Sequence, residues 1–163
     1  VDRGYGPCYC EHMVTREKLM KTNDIVEKCR TQFSNSLYGG NCGMFALALG
    51  TFLQGHGISS NIVIFSDYCE DEHGAPRTAF DIMNCEPDVY HVALQVDGLL
   101  YDGDGQVTEQ HILNWIAEEY DDKSPTVSTF PLQSKGVRQL MDNDTDWEIH
   151  PGVFLDFMEK VTR

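Results

Sequence analysis

Three residues of this sequence have the types and settings that covalent acyl chemistry needs: Cys42, His91 and Asp102. Cys42 follows Gly39-Gly40-Asn41 and leads an apolar run from Met44 to Leu49 that Phe52 and Leu53 continue. Asn41 is a favoured N-cap and Gly55 a favoured stop, so the spacing predicts a helix with Cys42 at its first position. A helix that is apolar on nearly every side belongs inside a domain. At its head the backbone N–H groups are unpaired and the helix dipole favours negative charge. That setting lowers a thiol pKa and yields a nucleophilic thiolate. The plainer reading of Cys42 is a small buried apolar residue.

His91 and Asp102 are related by a hairpin. Asp97-Gly98 between two β-rich runs is the preferred two-residue type I′ turn. The turn sets Val96 opposite Leu99, Leu94 opposite Tyr101 and Ala93 opposite Asp102. Side chains alternate between faces, so Val92, Leu94, Val96, Leu99 and Tyr101 make a core face. The other face carries His91, Ala93, Gln95, Leu100 and Asp102, and also Asp104 if the pairing continues. On that register His91 lies one diagonal step from Asp102 and directly opposite Asp104. A diagonal cross-strand pair brings an imidazole and a carboxylate within reach, so that the Asp holds the His tautomer and stabilises the imidazolium. Taken singly, His91 reads as a polar residue at a strand start and Asp102 as a turn residue. Together with Cys42 they compose a Cys-His-Asp triad. The Cys42 N–H contributes to an oxyanion hole, and Gln32, Asn35, Ser36 and Asn41 are the candidates for its second donor. His56, His73, His111 and His150 have no such partner by register.

The elements that must position these groups follow from periodicity and punctuation. Residues 1–13 read as an irregular arm. Its Cys8, Cys10 and His12 would converge on one metal in an extended segment, but no second motif completes a zinc set, and no metal or cofactor is assigned. Thr15 caps a helix to about Arg30, with Leu19, Thr22, Val26, Cys29 and Phe33 on its apolar stripe, and Gln32 to Tyr38 reads as loop. Ile62 to Phe65 is a buried strand, Ser66 to Pro76 a solvated acidic loop, and Thr78 to Met83 a short strand or turn. Asp102 to Gly105 hints at a calcium loop but fails that pattern at its sixth and twelfth positions. Thr108 caps a helix to about Tyr120, with Ile112, Leu113, Trp115 and Ile116 as its buried stripe. A strand over 126–132, a helix over 134–141 and an acidic turn over 142–146 come next. Last is a helix begun by Pro151, with Val153, Phe154, Phe157, Met158 and Val161 facing the core. Absence of repeats and linkers predicts one domain over 1–163.

The bulk properties narrow the function. The chain has 163 residues and a net charge of −14. That charge argues against nucleic acid and anionic membranes as partners, and permits a basic protein or peptide. No apolar run reaches the length of a membrane span, and Val1 to Cys10 lacks the basic flank and apolar region of a signal peptide. Six irregularly spaced cysteines in a chain of this size read as mostly reduced thiols, which predicts a cytoplasmic protein.

An Asn-Cys-Gly at the head of a buried helix, then His91-Val92-Ala93-Leu94-Gln95-Val96-Asp97-Gly98, then Tyr101-Asp102, resembles the papain-like and transglutaminase-like cysteine hydrolase superfamily. The resemblance spans Gly39 to Asp102 and selects no single family within it. It implies an α+β fold, with the Cys-bearing helix packed on an antiparallel sheet that carries the His and the Asp. It also implies Cys42 as nucleophile, His91 as base and Asp102 as third member, acting on an amide or thioester. Papain-type enzymes carry an oxyanion Gln shortly before the Cys. Here Gln32 lies further upstream, and Ser36 is nearer that place. The expected function is a thiol peptidase acting on a peptide or isopeptide bond through an acyl-enzyme. A transglutaminase-like deamidase or acyltransferase is the alternative on the same triad, and a non-catalytic acidic binding or inhibitor protein is the alternative without one.

Overall fold

In the computed structural model, residues 16–37, 41–69, 78–84, 88–142 and 150–163 are described. They form helices α1 (Arg16–Leu37), α2 (Cys42–Gly55), α3 (Ala79–Asn84), α4 (Glu109–Tyr120), α5 (Lys135–Asp142) and α6 (Pro151–Val161). The strands are β1 (Asn61–Ser66), β2 (Val89–Val96), β3 (Leu99–Asp102), β4 (Gly105–Val107) and β5 (Thr126–Pro131), paired as one antiparallel sheet in the order β4-β3-β2-β1-β5. The class is α+β, as expected.

Alternation of side chains divides the sheet into two buried faces. Ile62 and Ile64 of β1, Val92, Leu94 and Val96 of β2, and Tyr101 of β3 join one core with α2. Val63 and Phe65, Ala93, and Leu100 join a second core with Ile112 and Ile116 of α4. Burial on both sides explains why β1 is apolar at consecutive positions instead of alternate ones. On the first face α2 is enclosed between the sheet and α1 and α6, and its residues from Gly43 to Gly50 are all buried. The all-round apolar character of Met44 to Leu53 is what this enclosure requires.

The hairpin turn has the backbone that Asp-Gly favours, with φ of 49° at Asp97 and 77° at Gly98. Leu94 pairs with Tyr101 and Val96 with Leu99, the register read from the sequence. Asp104 departs from its expectation. The chain turns at Gly103-Asp104 and returns as β4, pairing Asp102 with Gly105, so Asp104 lies exposed in the turn and not opposite His91.

Other departures have local causes. The first helix does not end near Arg30. It continues to Leu37 through a kink at Phe33, because the Phe33 ring packs edge-on against Phe154 at 5.0 Å and Phe157 at 5.2 Å and so docks the continuation on α6. Gln32, Asn35 and Ser36 are therefore helical and not loop residues. Residues 78–83, undecided between strand and turn, fall instead on the helix Ala79–Asn84, whose first turn is closed by Thr78 and Asp81, which hydrogen-bond each other's backbone and side chains. Val153 is 48% exposed because Phe154 and Met158, four residues apart, take the buried stripe of α6. The Cys8-Cys10-His12 arm, His73 and most of the acidic turn lie outside the described residues. Among the described residues no helix is long and apolar enough to cross a membrane.

Candidate active site

The structure brings Cys42, His91 and Asp102 together. Cys42 is the first residue of α2, half-buried, with Asn41 in the cap position. Asn41 is buried, but its side chain does not cap the helix; the Asn41 backbone carbonyl accepts from the Phe45 N–H at 2.9 Å. His91 lies near the start of β2, where the β1 pairing shifts register. Phe65 pairs with His91 but Ser66 pairs with Val89, which leaves Tyr90 as an extra residue in β2. Such a bulge re-aims neighbouring side chains. The β3 ladder has already ended at Leu94–Tyr101, so this part of β2 is paired on the β1 side alone. The backbone N–H groups of Val92 and Gly43 are directed at the Cys42 sulfur and favour its thiolate.

Nε2 of His91 lies 2.9 Å from Oδ2 of Asp102. With that nitrogen engaged, Nδ1 is the ring atom left to meet Cys42, whose sulfur hydrogen-bonds His91. Asp102 is itself buried and held: its Oδ1 accepts from the Asp104 N–H at 2.8 Å. Of the two carboxylates that shared the expected face, Asp102 is the one on the imidazole, and Asp104 serves the turn that fixes it.

The electrostatics follow from this order. Burial pushes the Cys42 thiol up, but the hydrogen bond and charge of His91 and the N–H groups of Val92 and Gly43 outweigh it, and the pKa falls below the ordinary thiol value. Burial pushes His91 down, but the hydrogen bonds to Asp102 and Cys42 and their charges raise it to about 9. With the thiol lowered and the imidazole raised, the thiolate–imidazolium pair is favoured over the neutral pair, a nucleophile beside a proton donor. Cys29 is the contrast. It is fully buried, and desolvation alone pushes its thiol up to about 12.

The pair opens into a cleft of about 440 Å³ lined by Cys42, His91 and Asp102 together with Tyr90, Trp115 and Tyr120, among others. A second pocket of similar volume between α1, α2 and the end of α6 shares no lining residue with this cleft. Trp115 was expected in the buried stripe of α4. It is 37% exposed and meets the His91 ring edge-on at 5.8 Å, because Ile112 and Ile116 take the face toward the sheet and leave Trp115 on the flank. Tyr90 and Tyr120 were not singled out from sequence, and neither was the Val92 N–H. A bulge leaves no mark in the apolar pattern, and an aromatic on a helix flank reads like one in the core. Of the expected second oxyanion donors, Asn41 is buried beside Cys42, Gln32 is exposed on α1, and Asn35 and Ser36 lie in the last turns of that helix.

Among the described residues no cluster of His, Cys, Asp and Glu could hold a metal ion. Cys29, Cys42 and Cys69 are free thiols. Compared with protein-family models, with curated proteins and with solved structures, the chain has no match.

Proposed function

We propose that this chain is a cysteine-dependent hydrolase of the papain-like or transglutaminase-like kind, acting as a thiol peptidase on a peptide or isopeptide bond. The observation that carries the reading is the His91–Asp102 contact at 2.9 Å with the Cys42 thiol hydrogen-bonded to the same imidazole. The Cys42 thiolate attacks the scissile carbonyl carbon and a C–S bond forms. The carbonyl oxygen takes the negative charge and is met by backbone N–H groups at the head of α2. His91 gives its Nδ1 proton to the departing amine as the C–N bond breaks, which leaves a thioester on Cys42. Neutral His91 then takes a proton from water, the hydroxide attacks the thioester, and the acid leaves as the thiolate and imidazolium are restored. Asp102 keeps the Nε2 proton on its own side throughout. The Cys-bearing helix on an antiparallel sheet supports the superfamily resemblance, and the free thiols support a reducing compartment such as the cytoplasm.

The test is digestion of a mixed peptide pool by the full chain, with new termini read by mass spectrometry and ammonia release followed in parallel on glutamine peptides. Cleavage that Cys42→Ala abolishes and His91→Ala slows by about 10²- to 10⁴-fold supports the peptidase. Ammonia release without cleavage assigns the deamidase. Neither product, with Cys42 no more reactive toward iodoacetamide than Cys69, would leave an acidic binding protein.

A further inference from the structure

The cleft has a wall that this acyl chemistry does not use. Tyr90 packs on Tyr120 with ring centroids 4.8 Å apart, Tyr120 meets Trp115 edge-on at 5.6 Å, and Trp115 meets His91. The rings form an unbroken path outward from the imidazole. They are not core residues: Tyr120 is 52% exposed, among the most exposed large hydrophobics in the described chain. Carboxylates surround them. Asp122 accepts a hydrogen bond from the Tyr90 hydroxyl at 2.9 Å, and Asp104 lines the same cleft. Burial, that hydrogen bond, and the charges of Asp122, Asp67 and Asp88 push the Tyr90 phenol up to about 12, which places three carboxylates within electrostatic reach of one ring. No Lys or Arg is among the described residues that line the cleft. The His91 imidazolium is already held by Asp102 and Cys42, so the outer aromatic faces and the carboxylates beside them suit a bound ammonium or guanidinium.

We propose that the Tyr90–Trp115–Tyr120 wall is a subsite for a lysine or arginine side chain of the substrate, on the leaving-group side of the scissile bond. The proposal rests on the hydrolase reading. The side follows from the proton. His91 protonates the departing amine, so the chain beyond the scissile bond crosses the imidazole, and Trp115 stands against that ring. A neutral aromatic side chain would use the rings but gain nothing from the carboxylates, and an acidic side chain would be repelled by them.

The experiment reads Cys42 directly and needs no known substrate. Three methanethiosulfonates of similar size, carrying a quaternary ammonium, a neutral alcohol or a sulfonate, react with the full chain, and modification at Cys42 is timed by peptide mapping. The expected result is a preference for the cation over the neutral reagent of roughly tenfold, in line with a partly desolvated cation–π contact. It should persist in about 1 M salt, where the Debye length is about 3 Å. It should fall to about twofold or less in Tyr120→Leu, which leaves net charge unchanged, and fall partway in Asp122→Asn, which preserves shape. A preference that vanishes in salt, or that survives Tyr120→Leu, would belong to the overall negative charge and would overturn the subsite. In the peptide digest, new N-termini enriched in Lys or Arg support the proposal. Cleavage without that enrichment overturns it and leaves the hydrolase standing. If nothing is cut, the hydrolase reading falls, and the reagent ratio still decides whether the wall binds cations.

Discussion

Replacing Asp102 with Asn tests whether the carboxylate governs His91 and, through it, the thiol. The substitution preserves the turn, since the Asn Oδ1 still accepts the Asp104 N–H that Asp102 holds at 2.8 Å. What changes is the atom facing Nε2. An amide N–H there makes Nε2 an acceptor, puts the ring proton on Nδ1 of a neutral imidazole, and turns the Cys42 side of the ring into a donor that cannot take a proton. The rise of His91 from 6.5 to about 9 is worth roughly 3 kcal/mol in favour of the imidazolium, held by Asp102 and Cys42 against burial. Loss of one of those two partners should lower the His91 midpoint by about one to two units. The pH at which the Cys42 thiolate forms should then rise toward the ordinary thiol value, because each ion of the pair stabilises the other. The assay is the rate of iodoacetamide labelling of Cys42 between pH 4 and 10, beside NMR titration of the His91 ring. An unchanged midpoint and an unchanged labelling profile in Asp102→Asn would refute the coupling on which the site rests.

The pH dependence of turnover should be a bell, with an acid limb below the ordinary thiol range, where Cys42 is protonated, and an alkaline limb near pH 9, where His91 loses the proton it must donate; kcat measured across that range checks it. Stability should respond to Cys42→Ala in a way wild type hides. A raised His pKa contributes stability fully below 6.5 that is lost as pH climbs through the folded value, whereas a lowered Cys pKa contributes stability above 9.0 that is lost as pH falls. Between those limits the two slopes oppose each other, so wild-type urea midpoints should change less with pH than those of a variant that keeps only the His91 shift. Cys42→Ala leaves His91 on Asp102 and should show stability falling above pH 6.5 by up to about 1.4 kcal/mol per unit. Gly136→Ala should destabilise by about 1–3 kcal/mol in urea titration. The added Cβ would stand 2.7 Å from the Thr78 Cβ and 3.0 Å from the Ala79 backbone nitrogen, where α5 crosses the start of α3.

Much of the site was legible because local rules set it. An apolar run behind Asn-Cys-Gly allows one helix, and its head is a fixed place. Asp97-Gly98 sets the hairpin register, and period-two alternation then puts His91 and Asp102 on one face. Thr108 caps α4 as expected, its hydroxyl oxygen accepting from the His111 N–H at 3.1 Å, and α4 ends at Tyr120. What could not be read depends on contacts between distant segments. The course of α1 beyond Arg30 depends on Phe33 meeting two rings of α6, over a hundred residues away. Strand β4 is only Gly105-Gln106-Val107, too short to carry a period, and its return displaces Asp104 from the expected pairing. The bulge at Tyr90 is a property of the β1–β2 register, and the exposure of Trp115 is a property of which α4 residues reach the sheet first.

The position of Cys42 on α2 also makes the thiol a gauge of the entire molecule. A nucleophile carried on a surface loop can swing while its scaffold stays folded. This one is attached to the most enclosed of the described helices, with the sheet beneath and α1 and α6 around it. In rising denaturant its enhanced reactivity should vanish in the same cooperative step that melts the core, so the sulfur that performs the chemistry also reports the integrity of the fold.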